Sequence, residues 1–369
     1  MRVLILSCNT GEGHNSAAKA IGVQLEAQGV EYEIVDALAF VSEKVSDFIS
    51  GWHVRIYQHV PALFNIGYRV EEITSPRPKE TSPLYRFFSK GAENLYEYIR
   101  KGQFERVIST HAFASLIMRR VKQDHADVPN QAFVATDYTC SPFVAECQAD
   151  MYMIPDEKLV DEFLKCGIAR ERILPTGIPV GEVFYTPRNE EKSKEALGLP
   201  LDKRIALLMC GSMGCGPIRQ LARELVDQLP KDTILVVICG HNKKLYEDMQ
   251  ELTNRENFRA VGYTKQMPLY MDAAELIITK PGGLSSTEAA AKRLPMFFIN
   301  AVGGCEGRNL EFYLKNGLAY GADDVKELVK IVLAKLETPG ELDRMRMALE
   351  KNFPHHGAKE ISSYVLTKM

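Results

Sequence analysis

The stretch "RIALLMCGSMGCGPIRQLARELVDQLPKDTILVVICG", residues 204–240, carries the reading of the fold. "RIALLMC" is a continuous apolar run too short for a helix and closed by a Gly-rich loop, as strands buried on both faces are. "PIRQLARELVDQL" then repeats apolar residues at helical spacing, and "ILVVICG" is a second short apolar run. Two such strands joined through a helix imply a parallel pair, because a helical crossover returns the chain in the same direction. The rhythm continues through "KKLYEDMQELT", "FRAVGY", "MPLYMDAA", "ELIIT", a helix "STEAAAKRL" and the strand "MFFIN". Another Gly loop, "AVGGCEGRN", precedes two or three helices that run to the end. This half is a doubly wound, Rossmann-like domain over 203–350.

The first half carries a looser version of the same pattern. "RVLILS" leads through the turn "CNTGEGHNS" into a helix from Ser16 to about Gln28, which stops at Gly29 before the strand "EYEIVDA". "RVISTH", "QAFVATD", "MYMIP" and "RILPTG" are further short strands. Residues 1–180 therefore form a second Rossmann-like domain, with an insertion at about 40–102 whose aromatics include Trp52, Tyr57, Phe64 and Tyr68. The Pro-, Gly- and charge-rich segment 181–202 reads as the linker, and 351–369 as a helix able to return to the first domain. At 369 residues the chain exceeds one ordinary core, so the expected class is α/β, two doubly wound domains facing a cleft.

Composition narrows the partners. A formal charge of −3 with 25% charged residues offers no global attraction to nucleic acid. No apolar run reaches the length of a membrane span, and the start lacks the regions of a signal peptide, so the expected location is cytoplasmic. The eight cysteines contain no C-x-x-C pair and sit mostly in apolar or Gly-rich surroundings, which favours reduced, packed thiols and no metal site.

Three glycine loops stand where open α/β sheets meet their ligands. In "NTGEGHNS", Gly11 and Gly13 allow close approach, and His14 can accept a proton near neutral pH. With Asp36 ending the second strand, this loop also keeps open an NAD-dependent oxidoreductase, although the third glycine of that fingerprint is missing. The loop "GSMG" offers the amides and hydroxyl of Gly211, Ser212, Met213 and Gly214 to a phosphate, without the Lys of a P-loop. In "PGGLSSTEAAA", Ser285 and Glu288 have capping-box spacing, which needs no ligand. The same stretch brings Gly282 and Gly283 bare to a helix start, as a diphosphate requires, with the Glu288 carboxylate one turn in for a ribose diol.

Together, "GEGHNSAAKAI", "ATDYTCSPF", "PTGIPV", "GSMG", "VGYTKQMPLYMDAAELIITKPGGLSSTEA" and "RLPMFFI" resemble the diacylglycerol glycosyltransferases that use a UDP-sugar. That family comprises plant monogalactosyldiacylglycerol synthase and bacterial processive diacylglycerol glucosyltransferases. The resemblance implies a GT-B fold with the acceptor on the first domain and the nucleotide sugar on the second. It implies an inverting hexosyl transfer from a UDP-hexose to a lipid hydroxyl, most naturally diacylglycerol, with UDP-sugar as co-substrate and no separate cofactor. It puts Glu288 on the ribose, Gly282, Gly283, Leu284 and Ser285 on the diphosphate, and Tyr263 and Met267 at the uracil. Glu306 and Asn309 complete the UDP-sugar set, with Cys305 where relatives often carry Gln. His14 or Asp137 is the base, Gly13 lies on the acceptor side, and Trp52, Tyr57, Phe64 and Tyr68 are the expected contact with the inner membrane face. The nearest alternative is a UDP-N-acetylglucosamine transferase acting on a peptidoglycan-type acceptor.

Overall fold

Alternate residues of the first strand part to opposite faces of its sheet, and each set finds a helical layer. In the computed structural model, which describes residues 1–9, 12–42, 83–299, 304–353 and 355–369, this strand is β1 (Arg2–Ser7). Leu4 and Leu6 join Val107 under Phe88, Leu95, Ile99 and Leu116, whereas Val3 and Ile5 join Ile108 under Ala18, Ile21 and Leu25. Burial on both faces explains why the strand is apolar throughout rather than alternating.

The chain divides into two units, Met1–Gly181 with His355–Met369, and Glu182–Pro354. In the first, β1 is followed by α1 (Glu12–Ala27), β2 (Glu31–Asp36), α2 (Pro83–Phe88), α3 (Ala92–Gly102), β3 (Arg106–Ser109), α4 (Ala112–Asp124), β4 (Asn130–Val134), α5 (Pro142–Glu146), β5 (Met151–Ile154), α6 (Val160–Lys165) and β6 (Ile173–Pro175). The strands lie parallel in the order β2-β1-β3-β4-β5-β6. The order reverses between β1 and β3, which opens a crevice at their carboxyl ends.

The second unit runs α7 (Glu190–Leu197), β7 (Arg204–Met209), α8 (Ile218–Val226), β8 (Thr233–Ile238), α9 (Lys243–Met249), β9 (Phe258–Val261), α10 (Met267–Ala273), β10 (Leu276–Thr279), α11 (Gly283–Ala291), β11 (Met296–Ile299), α12 (Cys305–Lys315), β12 (Ala319–Ala322), α13 (Val325–Glu337) and α14 (Glu341–Asn352). Its parallel order is β12-β11-β10-β7-β8-β9, with Leu207 of β7 opposite both Ile277 and Val236. This is the doubly wound Rossmann order, and its switch point falls between β7 and β10. On one face of that sheet, Leu208, Leu235, Ile278 and Phe297 pack with Leu221 and Leu225 of α8 and Leu328 and Val332 of α13.

The structure departs from the sequence reading in several places. Helix α1 begins at Glu12 rather than Ser16, so Gly13 and His14 belong to its first turn and not to a loop. Residues 182–202 are not a bare linker but part of the second unit. Arg188 donates to the carbonyl oxygens of Asp272 and Ala274 at 3.0 and 2.5 Å, and the buried Lys292 ammonium meets Asp272 Oδ1 at 2.9 Å and the Thr186 carbonyl at 3.2 Å. The expected insertion is also partly core, since Phe88, Leu95 and Ile99 of 83–102 are buried beneath the first sheet. Strand β12 was not expected at all. Its sequence, AYGA, has neither length nor alternation, and β11 alone pairs with it.

The last helix, α15 (Gly357–Thr367), packs on α1 of the first unit. Ile361 and Val365 are fully buried there, and Gln28 donates to Ser362 Oγ at 2.8 Å. Each such buried side chain is worth about 1.5–3 kcal/mol. Gly11, Trp52, Tyr57, Phe64 and Tyr68 lie outside the described residues. Among the described residues no helix is long and apolar enough to cross a membrane.

Candidate functional site

In each unit some candidate residues follow the strands that flank the switch point, His14 after β1 and the Gly211 and Pro281 turns after β7 and β10. In the first, a chain of side-chain hydrogen bonds shapes the turn after β1. Ser7 Oγ bonds Asn15 Oδ1 at 2.7 Å, Asn15 donates to Asn9 Oδ1 at 2.9 Å, and Asn9 donates to Asp36 Oδ2 at 3.0 Å. Asp36 also accepts from the Leu38 amide at 3.1 Å. Its carboxylate is thus committed to ordering the turn and the chain after β2, which removes the support it lent to a nicotinamide reading.

This network sets His14 on the half-buried side of α1. Its Nδ1 lies 2.8 Å from the carbonyl oxygen of Thr110 and 3.1 Å from Thr136 Oγ1. A carbonyl only accepts, so Nδ1 carries the proton and, in the neutral ring, Nε2 carries the lone pair. That is the arrangement of a general base held in one tautomer. Asp137 follows Thr136 and is half-buried in the same loop after β4.

A second imidazole stands beside the first. His111 opens α4, where its Nδ1 accepts from the Phe113 amide at 3.1 Å, and its ring meets His14 edge-on with centroids 4.4 Å apart. Sequence reasoning passed over it. The available signal was a His directly after the strand "RVIST", on the neighbour of β1 across the switch point.

In the second unit, the "GSMG" turn after β7 is interlocked with the turn after β8. Ser212 offers its carbonyl to the His241 amide at 2.8 Å, and Asn242 donates to the Gly214 carbonyl at 3.0 Å. Gly214 and Gly240 have φ of +56° and +57°, and a Cβ on them would stand 2.3 Å from the Cys239 oxygen and 2.1 Å from the Ser212 oxygen. These glycines first serve the packing of one loop on the other. Met213 lies in the same turn, and its carbonyl is 3.7 Å from Cys215 Sγ. Tyr263, 53% exposed after β9, stacks on His241 with centroids 4.0 Å apart, and Met267 opens α10.

The Pro-Gly-Gly turn follows β10, next to β7, and here the capping box is overturned. Helix α11 begins at Gly283 with Gly282 as its cap residue, and no side chain caps it. Ser285 is therefore already inside the helix, and Glu288 is too far along to reach the cap amide. The hydroxyls of Ser286 and Thr287 bond back to the Gly282 and Gly283 carbonyls, both at 2.7 Å. The first helical bond comes from the Ser286 amide, at 3.0 Å to the Gly282 carbonyl, so the amides of Gly283, Leu284 and Ser285 precede it. Positive potential is left at this end.

The Glu288 carboxyl makes no hydrogen bond or ion pair with a described residue. Although part of its surface is exposed, burial alone pushes its carboxyl up to about 8. An acid held neutral by desolvation at a helix start is a candidate functional position.

Glu306 and Asn309 sit on α12 but are turned toward the Pro281 segment. Asn309 is fully buried and donates to the Pro281 carbonyl at 2.9 Å, a structural bond rather than an open contact. Glu306 Oε1 lies 2.5 Å from Lys280 Nζ. Burial works to lower the Lys280 ammonium, and the facing carboxylate outweighs it, holding the group above its ordinary value. Lys280 was another residue missed in the sequence, signalled only by a Lys directly before Pro-Gly-Gly. Among the described residues, no three His, Cys, Asp or Glu side chains gather to hold a metal ion.

Comparison with known proteins follows the same division. Residues 14–180 match the family model for monogalactosyldiacylglycerol (MGDG) synthase, and residues 205–306 match the glycosyltransferase family 28 C-terminal domain. The processive diacylglycerol beta-glucosyltransferase of Bacillus pumilus (strain SAFR-032) is 23% identical, the match covering 98% of this chain and 93% of the relative. The protein of that name from Staphylococcus aureus (strain MRSA252) is 25% identical over 95% and 88%. Among solved structures, Acinetobacter baumannii MurG superposes with a TM-score of 0.66 at 14% identity, covering 100% of this chain and 99% of the other. The UDP-GlcNAc 2-epimerase of Neisseria meningitidis, bound to UDP-GlcNAc, also gives 0.66 at 13% identity, with 100% of both chains covered. At such identities these last two show the fold, a two-domain α/β architecture of the GT-B class.

Proposed function

This chain belongs to the family of UDP-sugar-dependent diacylglycerol glycosyltransferases, and from that premise we propose that it moves a hexose from a UDP-hexose to the free hydroxyl of a diacylglycerol with inversion at the anomeric carbon. The acceptor oxygen bonds to that carbon while the bond to the UDP oxygen breaks on the opposite face, and UDP leaves with the electron pair. The acceptor proton passes to His14 Nε2, which the Thr110 carbonyl leaves as the basic nitrogen of the ring. Asp137 is the second candidate for that proton.

On the donor side, the amides of Gly283, Leu284 and Ser285 and those of the Gly211–Gly214 turn meet the diphosphate, whose negative charge grows as the bond breaks. Tyr263 offers an exposed ring to the uracil, with Met267 beside it in sequence order on the next helix. The ribose hydroxyls donate to Glu288. The observation that carries this reading is Glu288 itself, a carboxyl raised to about 8 by burial, one turn inside a helix that has no side-chain cap. A diol and a diphosphate supply what that end of the helix lacks.

The positive potential comes from backbone amides, so the reading calls for no resident metal or other cofactor. Transfer should persist in EDTA. Because diacylglycerol resides in a bilayer, the protein must work at a membrane surface, and it should sediment with liposomes containing that lipid. The deciding experiment is a donor screen with UDP-glucose, UDP-galactose and UDP-N-acetylglucosamine against diacylglycerol in mixed micelles. One hexose donor should support transfer in the native protein and fail in His14→Ala. If no UDP-sugar gives product and UDP does not bind, the proposal is wrong.

A further inference from the structure

Lys280 holds an unusual place at the second switch point. It is the residue between β10 and the Pro281 turn, and with its Glu306 partner it is largely withdrawn from solvent, the two side chains being 18% and 9% exposed. The end of its stem lies against the turn after β7, where a Cβ on Gly211 would stand 3.3 Å from Lys280 Cε. Asn309, from the same helix as Glu306, ties that helix to the Pro281 carbonyl at 2.9 Å. Three segments therefore meet around the Lys280 side chain: the Gly211 turn, the Pro281 turn and the first turn of α12. Glu306 Oε2 is shielded from solvent and has no hydrogen-bond partner among the described residues. The other titratable groups facing the pair are the thiols of Cys210 and Cys215, both raised by burial, Cys210 to about 12.

A carboxylate in this position is a problem for a donor that carries a diphosphate. Two like charges brought together in a poorly hydrated crevice repel strongly, and removing either partner of a buried pair leaves the other uncompensated. The Gly211 and Pro281 turns offer the donor amides, which already suit an anion. Lys280 is engaged elsewhere.

We propose that Lys280 is a positioning residue for donor binding: it cancels and orients the Glu306 carboxylate so that a nucleoside diphosphate can settle between the two glycine turns, and it does not itself grip the diphosphate. This rests on the reading of the second unit as the donor site. The role is that of an internal counter-charge, and its signature is that the lysine becomes dispensable once the glutamate is neutral.

The test is calorimetric titration of UDP into the native protein, Lys280→Met, Glu306→Gln and the double variant, at pH 6 and pH 8. Lys280→Met should weaken UDP by about 100-fold. The double variant should return to within about threefold of native affinity at both values, as the loss of both charges removes the conflict. A double variant as weak as Lys280→Met would overturn the proposal, because Lys280 would then touch the diphosphate directly. Native-like binding by Lys280→Met would overturn it as well. Should that variant fail to fold, Glu306→Gln alone decides: equal or tighter UDP binding supports the counter-charge, and a loss of about tenfold or more refutes it. UDP failing to bind the native protein would sink the donor-site reading instead, so the two failures are distinct.

Discussion

Each unit places a helix start beside the switch point of its parallel sheet, yet the two are equipped differently. After β1, the first turn of α1 carries His14, its proton pinned by the Thr110 carbonyl and a second imidazole at its edge. After β10, the first turn of α11 carries no capping side chain, and one turn further stands a carboxyl that burial keeps neutral. In the proposed function, the first switch point moves a proton and the second receives negative charge. The fold supplies the position and the first helical turn supplies the chemistry, which is why sheets of this type serve unrelated reactions.

The comparison can be broken from either side. The largest expected effect belongs to His14→Ala, which should lower kcat by about 10²- to 10⁴-fold while UDP affinity stays native, since the base acts on the acceptor. A matching loss of UDP affinity would erase the division of labour between the two switch points. Next comes Gly240→Ala, whose Cβ would stand 2.1 Å from the Ser212 oxygen at a φ of +57°. Strain and displacement of the Gly211 turn should cost about 2–4 kcal/mol in thermal unfolding and weaken UDP, with no direct effect on the His14 side.

Glu288→Gln sharpens the second side through pH. Ribose hydroxyls donate to an ionised carboxylate, so native UDP affinity should rise with pH toward about 8 and level off above it, while the variant stays flat and about tenfold weaker at high pH. Stability should move the other way. A carboxyl raised by burial costs nothing below its unfolded value near 4.5, and its penalty is fully present above about 8. Glu288→Gln should therefore melt higher than native at pH 9 and equal to it at pH 4, and the absence of that crossover would return Glu288 to the ordinary surface. The smallest effect is expected from Ser285→Ala. As a cap its loss would cost about 1 kcal/mol, whereas inside the helix it should cost less than about 0.5 kcal/mol.

Much of the fold was legible because buried parallel strands announce themselves as short apolar runs. Ten of them need only hydropathy to be seen, and "EYEIVD" and "AYGA" mark the limits of that signal. The first is recognised by its place after a helix stop, and the second, four residues on a sheet edge, is visible only through its pairing with β11. The helix starts were less legible. Glycines, Ser and Glu suggested a cap at Ser285 and a start at Ser16, and in both cases the chain entered the helix several residues sooner. Local propensity disfavours glycine in a helix, so a pattern reading places the start after the glycines rather than among them.

By itself, then, the sequence determined the class of fold and the positions of its glycine turns, and it singled out His14 and Glu288 as candidates. These depend on patterns local in the chain, where hydropathy and backbone freedom act over a few residues. Only the tertiary structure decided which nitrogen of His14 is basic, that His111 stands beside it, that Lys280 and Glu306 form a pair, and that the final helix packs on α1. Each joins residues far apart in sequence, 96 positions for His14 and Thr110 and 26 for Lys280 and Glu306. Such contacts arise from the order in which strands enter the sheet, and no local pattern encodes that order.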